Sequence, residues 1–182
     1  FPEARLVFIL REPAARLLAG FRSARDWDRN IAEGVSFLDF VRVIAEGADP
    51  LPVFPADRTR AIYATDAKKV GLYDEIIRHY LEHFAPEQMH ILFLDDLKRD
   101  HARSLAAIAH HIGVDPARLP EAPLTVENQG VEVGNRKLFA FARTALALAR
   151  DWYRPANHRF ADLLADQFPD VVQPSWLSED KT

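Results

Sequence analysis

The chain has 182 residues, 48% hydrophobic and 27% charged, proportions of a globular protein that set aside disordered and fibrous classes and fit one domain. Lys and Arg number 23 against 27 Asp and Glu, a formal charge of −4, so no global field draws the chain to nucleic acid or an anionic membrane, and any anion site has to be local. Without cysteine there are no disulfides, thiolate metal sites or cysteine nucleophiles, and no apolar run approaches the roughly 20 residues of a membrane span.

The first predicted element is the apolar run from Arg5 to Leu10, whose lack of alternation suits a strand buried on both faces of a parallel sheet. Arg11-Glu12 form a tight turn, and Pro13 suits the first position of a helix through Phe21. Ser36 and Asp39 have capping-box spacing for a short helix ending near Gly47, and Leu51 to Arg60, with Pro52, Pro55 and Asp57, reads as a loop. Tyr73, Ile76, Ile77, Tyr80, Leu81 and Phe84 share one helical face. A second strand, Met89 to Leu94, leads to an acidic turn at Asp95-Asp96, then to a helix carrying Leu105, Ile108, Ala109 and Ile112 that stops at Gly113. Pro116 to Gly134 has no period and reads as a long loop, whereas Arg136 to Phe168 reads as helical, with Phe160, Leu163, Leu164 and Phe168 on one face. Strands alternating with helices predict an α/β fold, a parallel sheet flanked by helices.

In such sheets ligands bind beyond the carboxyl ends of the strands, which makes Arg11 the first candidate. A guanidinium there, beside a helix amino terminus opened by Pro13, would form an anion site; the competing reading pairs Arg11 with Glu12 or Asp95. Arg16 is read as structural. A second basic pair, Arg136-Lys137, follows the polar stretch Glu127 to Gly134; it reads either as a solvated helix start or as a phosphate contact. His79 and His83 lie one helical turn apart, but without an HExxH motif they read as a solvated face, and no metal is assigned. No GxSxG elbow is present, and the seven glycines are too scattered to write GxxxxGK[ST] or GxGxxG.

Four stretches, in order, carry a family resemblance: Arg5-Leu-Val-Phe-Ile-Leu-Arg-Glu-Pro-Ala-Ala-Arg16; Gly71-Leu-Tyr73 through the acidic turn to Leu97; the helix ending Ile112-Gly-Val114; and Trp152-Tyr-Arg-Pro-Ala-Asn157 with Phe160 to Leu164 and Pro174-Ser-Trp-Leu177. The chain resembles PAPS-dependent sulfotransferases, most closely the sulfotransferase domain of heparan sulfate N-deacetylase/N-sulfotransferases and related bacterial proteins. The resemblance implies a P-loop-type fold and sulfuryl transfer from PAPS, with PAP as product, to a hydroxyl or amine on an unidentified, carbohydrate-like acceptor. It implies that Arg11 contacts the 3′-phosphate and that Arg136, with Lys137, belongs to the basic loop that closes over the nucleotide. Acceptor choice would lie in loops such as Trp27 to Pro55.

Departures accompany the match. The family's phosphate-binding serine is Ala19 here, and Ser23 stands where the N-sulfotransferase branch has a histidine, so no catalytic residue is assigned. The family's 5′-phosphosulfate loop precedes the strand at which this chain begins with Phe1. The expectation is therefore a single sulfotransferase-like domain over 1–182, incomplete at its N-terminal side, with a missing N-terminal half and no turnover alone. A non-catalytic nucleotide-binding or interaction module and a fragment of a P-loop kinase stay open as alternatives, and a cytoplasmic location is expected.

Overall fold

The computed structural model describes residues 1–26, 31–32, 34–46, 66–119 and 142–178. It is a mostly helical α/β structure with two compact units. The first comprises Phe1–Arg11, Asp74–Glu127 and His158–Thr182; the second comprises Glu12–Tyr73 and Asn128–Asn157.

The first unit holds a parallel pair of strands, β1 (Leu6–Leu10) and β2 (Met89–Phe93), in register from Leu6 opposite Met89 to Leu10 opposite Phe93. Parallel pairing needs a crossover, and the long stretch between the strands provides it. The expectation of a strand buried on both faces fails for β1: Ile9 is 50% exposed. Among the described residues β1 pairs with β2 alone, and an unbroken apolar run does not distinguish an edge strand from a central one.

Helix α3 (Tyr73–Leu81) buries Tyr73 and Ile77 on the predicted face, and Tyr80 meets Phe8 of β1 edge to face, ring centroids 5.1 Å apart. The acidic pair after β2 is not a turn. Leu94–Arg99 form a short helix, α4, whose first turn holds Asp95 and Asp96 and whose last holds Lys98 and Arg99, the arrangement that complements a helix dipole. Arg99 also donates to Asp96 at 2.7 Å. Helix α5 (His101–His111) is capped by Asp100, which accepts from the Arg103 amide at 3.0 Å, and it ends where Gly113 takes φ +78°. The predicted loop from Pro116 opens with a single 3-10 turn, Pro116–Arg118, and from residue 120 lies outside the described residues.

In the second unit, α1 (Pro13–Asp26) and α2 (Phe37–Glu46) pack through Phe21, whose ring lies 5.4 Å from Phe37 and 5.2 Å from Phe40. The capping box is formed: the Ser36 hydroxyl accepts from the Asp39 amide at 3.2 Å, and the Asp39 carboxylate accepts from the Ser36 amide at 3.0 Å. Residues 66–69 form one helical turn, and the predicted loop Leu51 to Arg60 lies outside the described residues.

Helix α6 (Ala142–Gln167) supplies Ala145, Ala149 and Tyr153 to the second unit's core. Its last turns bury Phe160, Leu163, Leu164 and Phe168 in the first, as the sequence spacing predicts. It continues through Pro155, which has no N–H for the preceding turn, so packing on both sides of that residue offsets an interior-proline penalty of about 3 kcal/mol. Helix α7 (Ser175–Ser178) follows, with Trp176 meeting Phe93 at 5.8 Å. No helix among the described residues is long and apolar enough to cross a membrane.

Candidate functional site

The turn after β1 carries the first candidate. Arg11, half-buried, directly follows the carboxyl end of the strand, the location expected from the sequence. Its neighbour Glu12 serves α1 and Arg150. One carboxylate oxygen accepts from the Ala15 amide at 2.8 Å, capping α1, and the other accepts from Arg150 Nε at 3.3 Å. Pro13 has no N–H to offer, so the first turn of α1 is served in part by the chain's own carboxylate, and the anion-binding role expected of that terminus narrows accordingly. The Glu12 charge is in turn matched, within its own unit, by Arg150 and the helix terminus.

Around Glu12 the second unit gathers a cationic and aromatic cluster. Tyr153 is fully buried, and its hydroxyl donates to the Lys68 carbonyl at 3.1 Å. Burial pushes the phenol's pKa far above its usual value; the Arg16 charge opposes that, while Tyr73 and Glu12 reinforce it, so Tyr153 stays neutral at physiological pH. The Lys68 ammonium lies 4.1 Å from the centroid of the Trp152 ring, a cation–π contact. A Cβ on residue 71 would stand 2.6 Å from the Tyr153 ring, so Gly71 admits the aromatic where any other residue would collide. Two of the four sequence stretches, Gly71-Leu-Tyr73 and Trp152-Tyr153, are thus one packed unit.

In the first unit, Asp74 is 2% exposed, and its carboxylate accepts from Arg159 Nε at 2.5 Å. Its Oδ1 is buried without a hydrogen-bond partner among the described residues. Gln88 uses both ends of its amide: Oε1 accepts from the Ala85 amide at 3.1 Å, and Nε2 donates to the carbonyls of Pro2 and Ala4 at 2.8 and 2.9 Å. Arg5 donates to the His111 carbonyl at 2.8 Å, and His111 Nε2 donates to the Leu6 carbonyl at 3.1 Å, which fixes the proton on that nitrogen. His90 stacks on His111 with centroids 5.3 Å apart, and burial, then the His111 charge, lowers its pKa.

Of the predicted site residues, Arg11 is at its expected strand end, while Arg136 and Lys137 lie outside the described residues. Of the stretch Trp27 to Pro55, residues 31–32 and 34–46 are described, and the latter hold α2. Sequence reasoning missed Lys68, Arg150 and Gln88. Each acts through a partner at least 84 positions away, which local spacing does not encode. The signals in the sequence that point to the cluster are Gly71-Leu-Tyr73 and Trp152-Tyr153.

No protein-family profile matches the chain. It is similar to carbohydrate sulfotransferase 15 of Homo sapiens, 24% identical over 176 residues, a match covering 91% of this chain and 31% of the human protein. The chain thus spans about a third of the length of the curated relative it matches.

Proposed function

We propose that this chain carries the 3′-phosphate-binding part of a PAPS-dependent sulfotransferase of P-loop type, related to the heparan sulfate N-sulfotransferase group, acting on a hydroxyl or amine of a carbohydrate-like acceptor. The observation that carries this reading is the similarity to a carbohydrate sulfotransferase along 91% of the chain. The donor set fits a phosphate. Arg11 offers a planar guanidinium at a parallel strand's carboxyl end, a group whose forked donors match phosphate oxygens.

When bound, PAPS supplies the sulfuryl group, and the protein's part is positioning and charge stabilisation. Arg11 holds the 3′-phosphate and so fixes the nucleotide's register. Arg136 and Lys137, outside the described residues, are assigned to nucleotide binding by the family resemblance alone. Tyr153, neutral and buried, supports the Lys68 backbone and keeps the Gly71 approach tight, a positioning role. Ala19 provides no hydroxyl, so Arg11 carries more of the phosphate recognition than it does in the family pattern.

Calorimetric titration of the full chain tests the reading. PAP is expected to bind in preference to ATP, and Arg11→Ala to weaken PAP by about 10- to 100-fold, the value of a charge-assisted hydrogen-bond pair. Preference for ATP, or PAP binding indifferent to Arg11, contradicts it. The alanine at position 19 favours one second reading, a nucleotide-binding module without turnover. That reading predicts PAP binding with no sulfate transfer even after an upstream 5′-phosphosulfate loop is supplied.

A further inference from the structure

The geometry points to a second, separate site: His79, Glu82 and His83, at the carboxyl end of α3, form a surface site for a divalent transition-metal ion such as Zn2+ or Cu2+. The site rests on neither Arg11 nor the nucleotide reading.

The local fold sets the three side chains side by side. α3 turns Tyr73 and Ile77 inward and leaves His79, Glu82 and His83 exposed. Past the last helical residue the chain keeps its winding: the amides of His83 and Phe84 both donate to the Tyr80 carbonyl, at 3.0 and 2.9 Å. The i, i+3, i+4 relation of a helix therefore holds through residue 83 and stacks the trio on one surface. One donor atom from each residue lies within 4.8 Å of the other two, and His79 Nδ1 stands 3.5 Å from Glu82 Oε2. The two imidazoles meet edge to face, 5.5 Å apart at 86°, so they do not close the space between their nitrogens by stacking.

The donor chemistry selects the ion. Two imidazoles and one carboxylate suit zinc and copper, whereas Mg2+ and Ca2+ prefer all-oxygen shells. Ligand bonds of about 2.0–2.2 Å require the three donors to close in slightly, which side-chain rotation supplies because all three are exposed. Three protein donors leave at least one position for water, so the site is open. Its place at a helix carboxyl terminus adds the partial negative charge of the last carbonyls, and Glu75, one turn before His79 and exposed, adds a further negative charge nearby. The contrasting account is an exposed His79–Glu82 ion pair with no ligand role, worth a few tenths of a kcal/mol. That account gives His83 nothing to do.

The test is calorimetric titration of the untagged full chain with zinc chloride, paired with electron paramagnetic resonance of added Cu2+. One Zn2+ per chain is expected, weakened at least tenfold by His79→Ala or by His83→Ala, and less by Glu82→Gln. The copper spectrum should show nitrogen coupling that the double variant H79A/H83A loses. His110→Ala, at an exposed histidine outside the trio, should change neither readout. Because the three positions are solvent-exposed, circular dichroism should show all variants folded. Absence of Zn2+ binding by the wild-type chain, or equal binding by H79A/H83A, overturns the site.

Discussion

Both units have apolar cores, but they differ in what is added to them. The second is organised by apolar and aromatic packing: Phe21, Phe37 and Phe40 lock α1 to α2, and the Tyr153 ring fills the space left by Gly71. The first also buries Phe93, Phe160, Leu164 and Phe168, and to that core it adds polar side chains that reach main-chain groups far away in sequence, Gln88 to Pro2 and Ala4, Arg5 to His111 and His111 to Leu6, together with buried Asp74 and its half-exposed partner Arg159. Packing energy is spread over many contacts, whereas a polar tether concentrates its effect in one or two atoms. The difference predicts which substitutions each unit tolerates: volume-conserving apolar swaps in the second, few changes of any kind at the first unit's tethers.

The largest effects should fall on both units alike and differ in their rescue. Arg159→Met is expected to destabilise by about 3–5 kcal/mol in urea unfolding, because it leaves the Asp74 carboxylate buried and unpaired, and D74N should recover part of the loss. Phe37→Ala should lose about 3–5 kcal/mol, with Phe37→Leu recovering most of it; a cavity in a packed cluster is repaired by volume, not by charge. Gly71→Ala comes next, at about 1–3 kcal/mol, since its Cβ would overlap the Tyr153 ring. If Tyr153→Leu, which opens that space, fails to relieve Gly71→Ala in a double-mutant cycle, the close-approach account of the motif is wrong.

The histidine stack sharpens the comparison through pH. His90 has a lowered pKa in the folded chain, so the unfolded chain takes up its proton first as pH falls. Stability contributed by the neutral imidazole is complete above the ordinary histidine range near pH 6.5 and drains away as pH drops from there toward the lowered folded value. Thermal melts between pH 7.5 and 5 should show this loss, and His90→Gln should flatten it. The smallest effects are local to helices. Ser36→Ala should remove about 1 kcal/mol with the cap of α2, and Gly20→Ala, where a Cβ meets nothing within 4 Å, should add about 0.5–1 kcal/mol to α1.

Much of the architecture was readable because it is encoded locally. Pro13, the Ser36–Asp39 spacing and the apolar stripe of α3 each name a helix start or face, and each helix is present. The acidic pair at 95–96 misled because carboxylates favour both turns and first helical turns, and Lys98 and Arg99 three residues on decided for the helix. That β1 has one partner among the described residues was not legible in Leu6–Leu10, since an apolar run records what a strand can bury and not how many neighbours it has. The place of Arg11 at the strand's carboxyl end was legible from chain order alone. The Glu12–Arg150 pair and the Tyr153–Lys68 bond were not, because each joins residues separated by 85 or more positions.

The nucleotide reading depends on one guanidinium recognising one phosphate, and a two-by-two titration isolates that term. PAP and adenosine 5′-phosphate, which lacks the 3′-phosphate, are each titrated into the wild-type chain and into Arg11→Ala. The account predicts that wild type favours PAP by about tenfold or more and that Arg11→Ala loses most of that preference. A preference for PAP that survives Arg11→Ala intact would contradict it.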